Sequence, residues 1–144
     1  MLPELGSDGN LPGVHLATEQ GVYERFTTSS PRRQWLGEQL RDLVALARAT
    51  GKLSRLFLWG SLVTSKESPD DIDVLLLMAR DLDVESVPTP CRVLFDHTQA
   101  RIRFHADVFW SKESIGEVPL LLWLDTYQMD RDLKRRGIVE VVVS

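Results

Sequence analysis

Cysteine occurs once in this sequence, at Cys91. That excludes an internal disulfide and any all-cysteine metal site, and it agrees with a reducing compartment. Long apolar stretches are missing as well: the runs present fall far short of the roughly 20 residues needed to span a bilayer. The opening MLPELGSDGNLPGVH has neither a basic start nor a continuous apolar segment, so no signal peptide or membrane helix is read and the expected location is the cytoplasm. Positive charge is in deficit, with 17 Lys and Arg against 21 Asp and Glu and a formal net charge of -4. Coating nucleic acid or anionic lipid depends on neutralising phosphates with Lys and Arg, so nonspecific partners of those kinds are not expected.

No repeat, low-complexity tract or linker divides the chain, and 144 residues suit one domain, 1–144, with one core. Pro3, Gly6, Gly9, Pro12 and Gly13 make residues 1–17 read as an extended arm. Thr18 is placed to cap a short helix through Phe26. Ser30 followed by Pro31 marks a stronger helix start, after which Trp35, Leu36, Leu40, Leu43, Val44 and Ala47 recur at helical spacing until Gly51. LSRLFLW (53–59) and IDVLLLM (72–78) are near-continuous apolar runs of strand length, as expected of neighbouring central strands covered on both faces. CRVLF (91–95) reads as a third strand, turning through DHTQ into RIRFHADVFW (101–110) as a hairpin. The alternation of that last segment predicts Arg101, Arg103, His105 and Asp107 on one face. VPLLLWLDTYQMD (118–130) suits a helix starting at Pro119, KRR (134–136) a solvated basic run, and GIVEVVV (137–143) a closing strand. Helices interspersed with strands make this an α/β protein.

The chemistry lies in WGSLVTSKESPDDIDVLLLM (59–78). Residues two apart on a strand point the same way, so Asp71 and Asp73 present two carboxylates together while Ile72 and Val74 face the core. Two such carboxylates repel, and oxygen-only ligation suits Mg²⁺ or Mn²⁺, which complete their shells with water and substrate phosphates. Gly60 ends the preceding strand with no side chain to block close approach. Ser61 and the amides after it can open a short helix that attracts phosphate oxygens. A third carboxylate from an adjacent strand would complete a two-metal site, and Asp107 in HADVFW is the candidate. Lys66, in the intervening loop, is either a phosphate contact or a solvated charge. Arg103 and His105, as strand-mates of Asp107, are candidates to touch phosphate or acceptor.

Together, LWGSLVTSKESPDDIDVLLL and the later ADVF resemble the signature of the DNA polymerase β-like nucleotidyltransferase superfamily. The short chain looks most like the minimal nucleotidyltransferases, several of which are antitoxins paired with a helical toxin. The opening LPELGSDGNLPGVH and the ending KRRGIVEV also look like a small bacterial family of unknown function that carries this signature. The resemblance implies an α+β fold with a mixed β-sheet flanked by helices, Gly60 and Ser61 at a triphosphate, and Asp71, Asp73 and Asp107 as ligands of Mg²⁺ or Mn²⁺. It also implies an NTP substrate, with ATP expected, an acceptor hydroxyl activated by Asp107, and a cognate toxin or other acceptor protein as partner. Self-association is left open, because so short a chain has little room to hold base and acceptor alone. The competing expectation is a noncatalytic module on the same fold that neutralises its partner by occlusion.

Overall fold

The computed structural model describes residues 2–5, 13–127 and 137–143. Five strands, β1 (Val14–Thr18), β2 (Leu53–Trp59), β3 (Ile72–Met78), β4 (Ala106–Lys112) and β5 (Ile138–Val142), form one sheet in the order β1-β5-β2-β3-β4. β1 runs parallel to β5 and β3 parallel to β4, while β2 is antiparallel to both of its neighbours. The sheet is therefore mixed, and helices α1 (Glu19–Phe26), α2 (Pro31–Ala49), α3 (His97–Phe104) and α4 (Glu117–Tyr127) flank it in an α+β arrangement. No helix among the described residues is long and apolar enough to cross a membrane.

The two central apolar runs fold as their composition dictates. Alternate residues of β2 and β3 are buried on opposite faces: Leu56, Leu58, Ile72, Val74 and Leu76 join the main core, and Phe57, Trp59, Leu75 and Leu77 join a smaller one. The main core is completed by α1, α2 and α3, the smaller one by Leu120 and Leu124 of α4. α2 begins as its sequence predicts, with the Ser30 hydroxyl accepting from the Arg33 amide at 3.1 Å and Pro31 in the first turn. Removing that cap in Ser30→Ala is expected to cost about 1 kcal/mol in urea denaturation. The Thr18 hydroxyl caps α1 in the same manner.

Three expectations are corrected. The arm does not extend to residue 17, because 14–18 form β1, held by parallel pairing to β5 over a register that runs from Val14 opposite Ile138 to Thr18 opposite Val142. Residues 91–95 are not a strand but part of a 3-10 segment, Thr89–Phe95, whose early Pro90 and three-residue spacing of buried Cys91 and Leu94 suit a helical turn. The hairpin and the 101–110 strand are replaced by helix α3 and then β4. Asp96 accepts from the Gln99 amide as N-cap, Ala100 and Phe104 are buried one turn apart, and His105 closes the helix in the left-handed conformation at φ 54°. Parallel pairing of β3 and β4 requires a crossover of a dozen or more residues, which 79–105 supply. α4 starts two residues before Pro119. The 128–130 end predicted for it, and the KRR run, lie outside the described residues.

Candidate functional site

Asp73 is the register partner of Trp59 on one side and of Asp107 on the other. Residues directly paired across strands point to the same face, so the β3–β4 register alone brings Asp107 beside Asp73. Asp71, just ahead of β3 and two residues from Asp73, points the same way. One carboxylate oxygen from each of the three lies within 4.8 Å of the others, and all three side chains are part-buried. They sit at the start of β3 and β4, in line with Leu75, Leu77 and Phe109 on the α4 side of the sheet.

Gly60 closes the fourth side. Its backbone, at φ 80° and ψ -164°, lies in a region essentially reserved for glycine. A Cβ built there would fall 2.1 Å from Asp73 Oδ2, so the absence of a side chain is what admits the carboxylate. Ser61 follows in a single 3-10 turn, Ser61–Val63, and is buried. Its hydroxyl accepts from the Asp70 amide at 3.3 Å, tying the Gly-Ser turn to the aspartate motif.

The loop between these motifs hangs on two arginines of α2. Arg33, only 5% exposed, donates from Nη1 to the carbonyls of Phe26 (3.0 Å) and Leu62 (2.7 Å), and from Nη2 to those of Thr64 (2.7 Å) and Lys66 (2.6 Å). Burial lowers its pKa, but an arginine starts so far above neutrality that it stays charged. Arg32 donates to the carbonyls of Pro69 and Asp70 and lies over the Trp35 ring.

α3 supplies the site's cationic side. Arg101 Nη1 donates to Asp71 Oδ2 at 2.6 Å and stands 3.6 Å from Asp107 Oδ2. The hydrogen bond to Asp71 raises the pKa of the Arg101 guanidinium above its already high ordinary value. One turn earlier, His97 Nε2 lies 3.4 Å from Asp107 Oδ1, with its ring against Phe109. Arg103 is two residues beyond Arg101, about 200° around the helix, exposed, with its guanidinium over Phe104. The strand face predicted to unite Arg101, Arg103, His105 and Asp107 does not exist. His105 instead packs edge-on against Trp35, and Lys66 pairs with Asp70 at 2.7 Å.

Thus the structure brings together Asp71, Asp73, Asp107, Gly60 and Ser61, and it adds Arg101, His97 and Arg33 in roles the sequence reading did not give them. Asp96 followed three residues later by Gln99 is a capping-box pattern that predicts α3 and puts His97 and Arg101 on one face. Arg33 occupies the stripe of Leu36, Leu40, Leu43 and Ala47, where a charged residue signals a buried partner set.

Three carboxylates with no nitrogen or sulfur donor among them form an oxygen-only set. Their span is comparable to twice the about 2.1 Å Mg–O bond, and a guanidinium already stands there as a cation. The residues therefore fit a hard divalent ion. A separate groove of about 500 Å³, lined by Leu2, Leu16, Gly21 and Arg25 among others, adjoins β1 at the opposite edge of the sheet.

No curated protein and no solved structure matches the chain. A family model described as a family of unknown function, DUF6932, matches residues 3–142. Because that match spans the sheet, the acidic cluster and the arginine-held loop alike, the chain belongs to the DUF6932 family.

Proposed function

We propose that this protein is a nucleotidyltransferase, moving a nucleoside monophosphate from an NTP, with ATP the expected donor, onto a hydroxyl of a protein or small molecule, so that the bond between the α- and β-phosphates breaks and pyrophosphate leaves. The observation that carries the reading is the register pairing of Asp73 with Asp107, with Asp71 completing an oxygen-only cluster beside a glycine turn. A divalent ion such as Mg²⁺ or Mn²⁺ bound there would neutralise charge on the triphosphate and lower the pKa of the attacking hydroxyl.

The chain's own contribution is positioning. Asp71, Asp73 and Asp107 hold the ion site on strand ends that the sheet fixes. Gly60 keeps the ground beside Asp73 clear for the carboxylate and for a close-lying phosphate. Asp107, on edge strand β4, stands where it can accept the proton of the incoming hydroxyl. Such transfer needs in-line placement and charge compensation more than covalent help.

The test is transfer of label from each of the four α-labelled NTPs in a lysate expressing the neighbouring gene. Wild type is expected to label a protein or small molecule. Asp73→Asn, a near-isosteric change, is expected to reduce labelling by about 10²-fold or more while the protein still folds, as circular dichroism would check. One observation favours a noncatalytic module that binds a partner such as a cognate toxin: Val118, Leu121 and Leu122 of α4 are exposed, leaving that helix apolar on both sides. Under that reading Asp73→Asn keeps both partner and effect, and no NTP donates label.

A further inference from the structure

Arg101 is set apart from the other described arginines by what it touches. Its guanidinium reaches two of the three clustered carboxylates, at 2.6 Å to Asp71 and 3.6 Å to Asp107, while its side chain remains 41% exposed. It is the described cation that ion-pairs with more than one of them, so it supplies charge compensation where three acidic groups converge within 4.8 Å. A divalent ion ligated by Asp71 and Asp107 would compete with Arg101 for the carboxylate charge it now compensates through Oδ2 of each, and a guanidinium held beside that ion would be repelled by it. The contact on Asp71 therefore opposes ligation through Oδ2 and sets the guanidinium against the ion's charge. Arg101 sits at the second turn of α3 on a long, half-exposed side chain, free to swing outward without disturbing Ala100 or Phe104, which anchor the helix in the core.

We propose that Arg101 is a resident counter-ion of the acidic cluster that a divalent ion displaces, and that the released guanidinium then binds the phosphates of the incoming nucleotide. This rests on the nucleotidyltransferase reading and adds to it an order of events. Metal entry frees the arginine, and the arginine then favours a metal-loaded site that already holds phosphate over one that does not. Charge-assisted, bidentate contact to phosphate is the chemistry a guanidinium performs best.

The experiment measures binding of Mn²⁺ alone, and of Mn²⁺ with inorganic tripolyphosphate, by calorimetry in wild type, Arg101→Ala and Asp73→Asn. The two ligands are expected to move in opposite directions in Arg101→Ala. Mn²⁺ alone binds about fivefold tighter because its competitor is gone. Tripolyphosphate on the Mn²⁺-loaded protein binds about tenfold weaker because a phosphate donor is gone. If both move together, or neither moves while Asp73→Asn abolishes Mn²⁺ binding, the Arg101 proposal is overturned and the metal reading stands. If no variant binds Mn²⁺, both fall. Should Arg101→Ala not fold, wild type decides alone. Saturating Mg²⁺ is expected to shift the Arg101 side-chain Nε–H signal in NMR toward that of a solvated arginine, and an unchanged signal overturns the proposal.

Discussion

Arg33→Leu is expected to lower the unfolding free energy by about 3–5 kcal/mol, a large share of the stability of a domain this size. The guanidinium is buried and donates to four backbone carbonyls, three of them in the segment that joins the Gly-Ser turn to the aspartates. Each buried acceptor left without a donor costs about 1–3 kcal/mol. The total is smaller than four such terms because leucine escapes the desolvation that the arginine undergoes and because the loop relaxes toward water. Arg33→Lys keeps the charge but offers a compact ammonium with three donors in place of a planar fork, so it is expected to recover less than half of the loss. Urea denaturation of both variants measures this. A loss below about 1 kcal/mol for leucine would mean that the loop carbonyls find other donors and that Arg33 does not hold the segment.

Gly60→Ala is the second large effect, expected at about 2–4 kcal/mol. A non-glycine residue at φ 80° and ψ -164° is strained wherever it occurs, and here its Cβ would also overlap the Asp73 carboxylate. Asp73 cannot retreat cheaply, since its backbone is fixed between Trp59 and Asp107 in the sheet. The carboxylate must rotate instead. The variant is therefore expected to lose Mn²⁺ binding in the fraction that remains folded, whereas a purely local strain would lower the melting temperature and leave Mn²⁺ affinity intact. Calorimetry below the melting transition separates the two.

How legible was this in the sequence? β2, β3, α1 and the start of α2 were readable to the residue, because continuous apolar runs and Ser-Pro or Thr caps act through local physics that tertiary contacts reinforce. The pairing of Asp71 with Asp73 followed from strand geometry, and Asp107 joined them as expected. The route by which it joins differs from the expected hairpin: helix α3 precedes β4. Arg101, Arg103, His105 and Asp107 alternate with apolar residues by coincidence, and the Asp96 cap, which governs the local structure, outweighs that alternation. β1 carried no strong strand signal because its order comes from pairing with β5, a contact invisible to local patterning. Arg33 could be suspected from its place on an apolar stripe, but its four acceptors come from segments that only the folded chain assembles.

The position of β5 between β1 and β2 also orders the birth of the molecule. A chain emerging from the ribosome has β2, β3 and β4 in hand once residue 112 is exposed, so the half of the sheet that bears the acidic cluster can assemble while synthesis continues. β1 is made first yet has no strand to lie against until residues 138–142 appear, and in the interval β2 shows an open hydrogen-bonding edge. The order of the strands thus lets the acidic cluster come together on a half-built sheet, with β1 still waiting for β5.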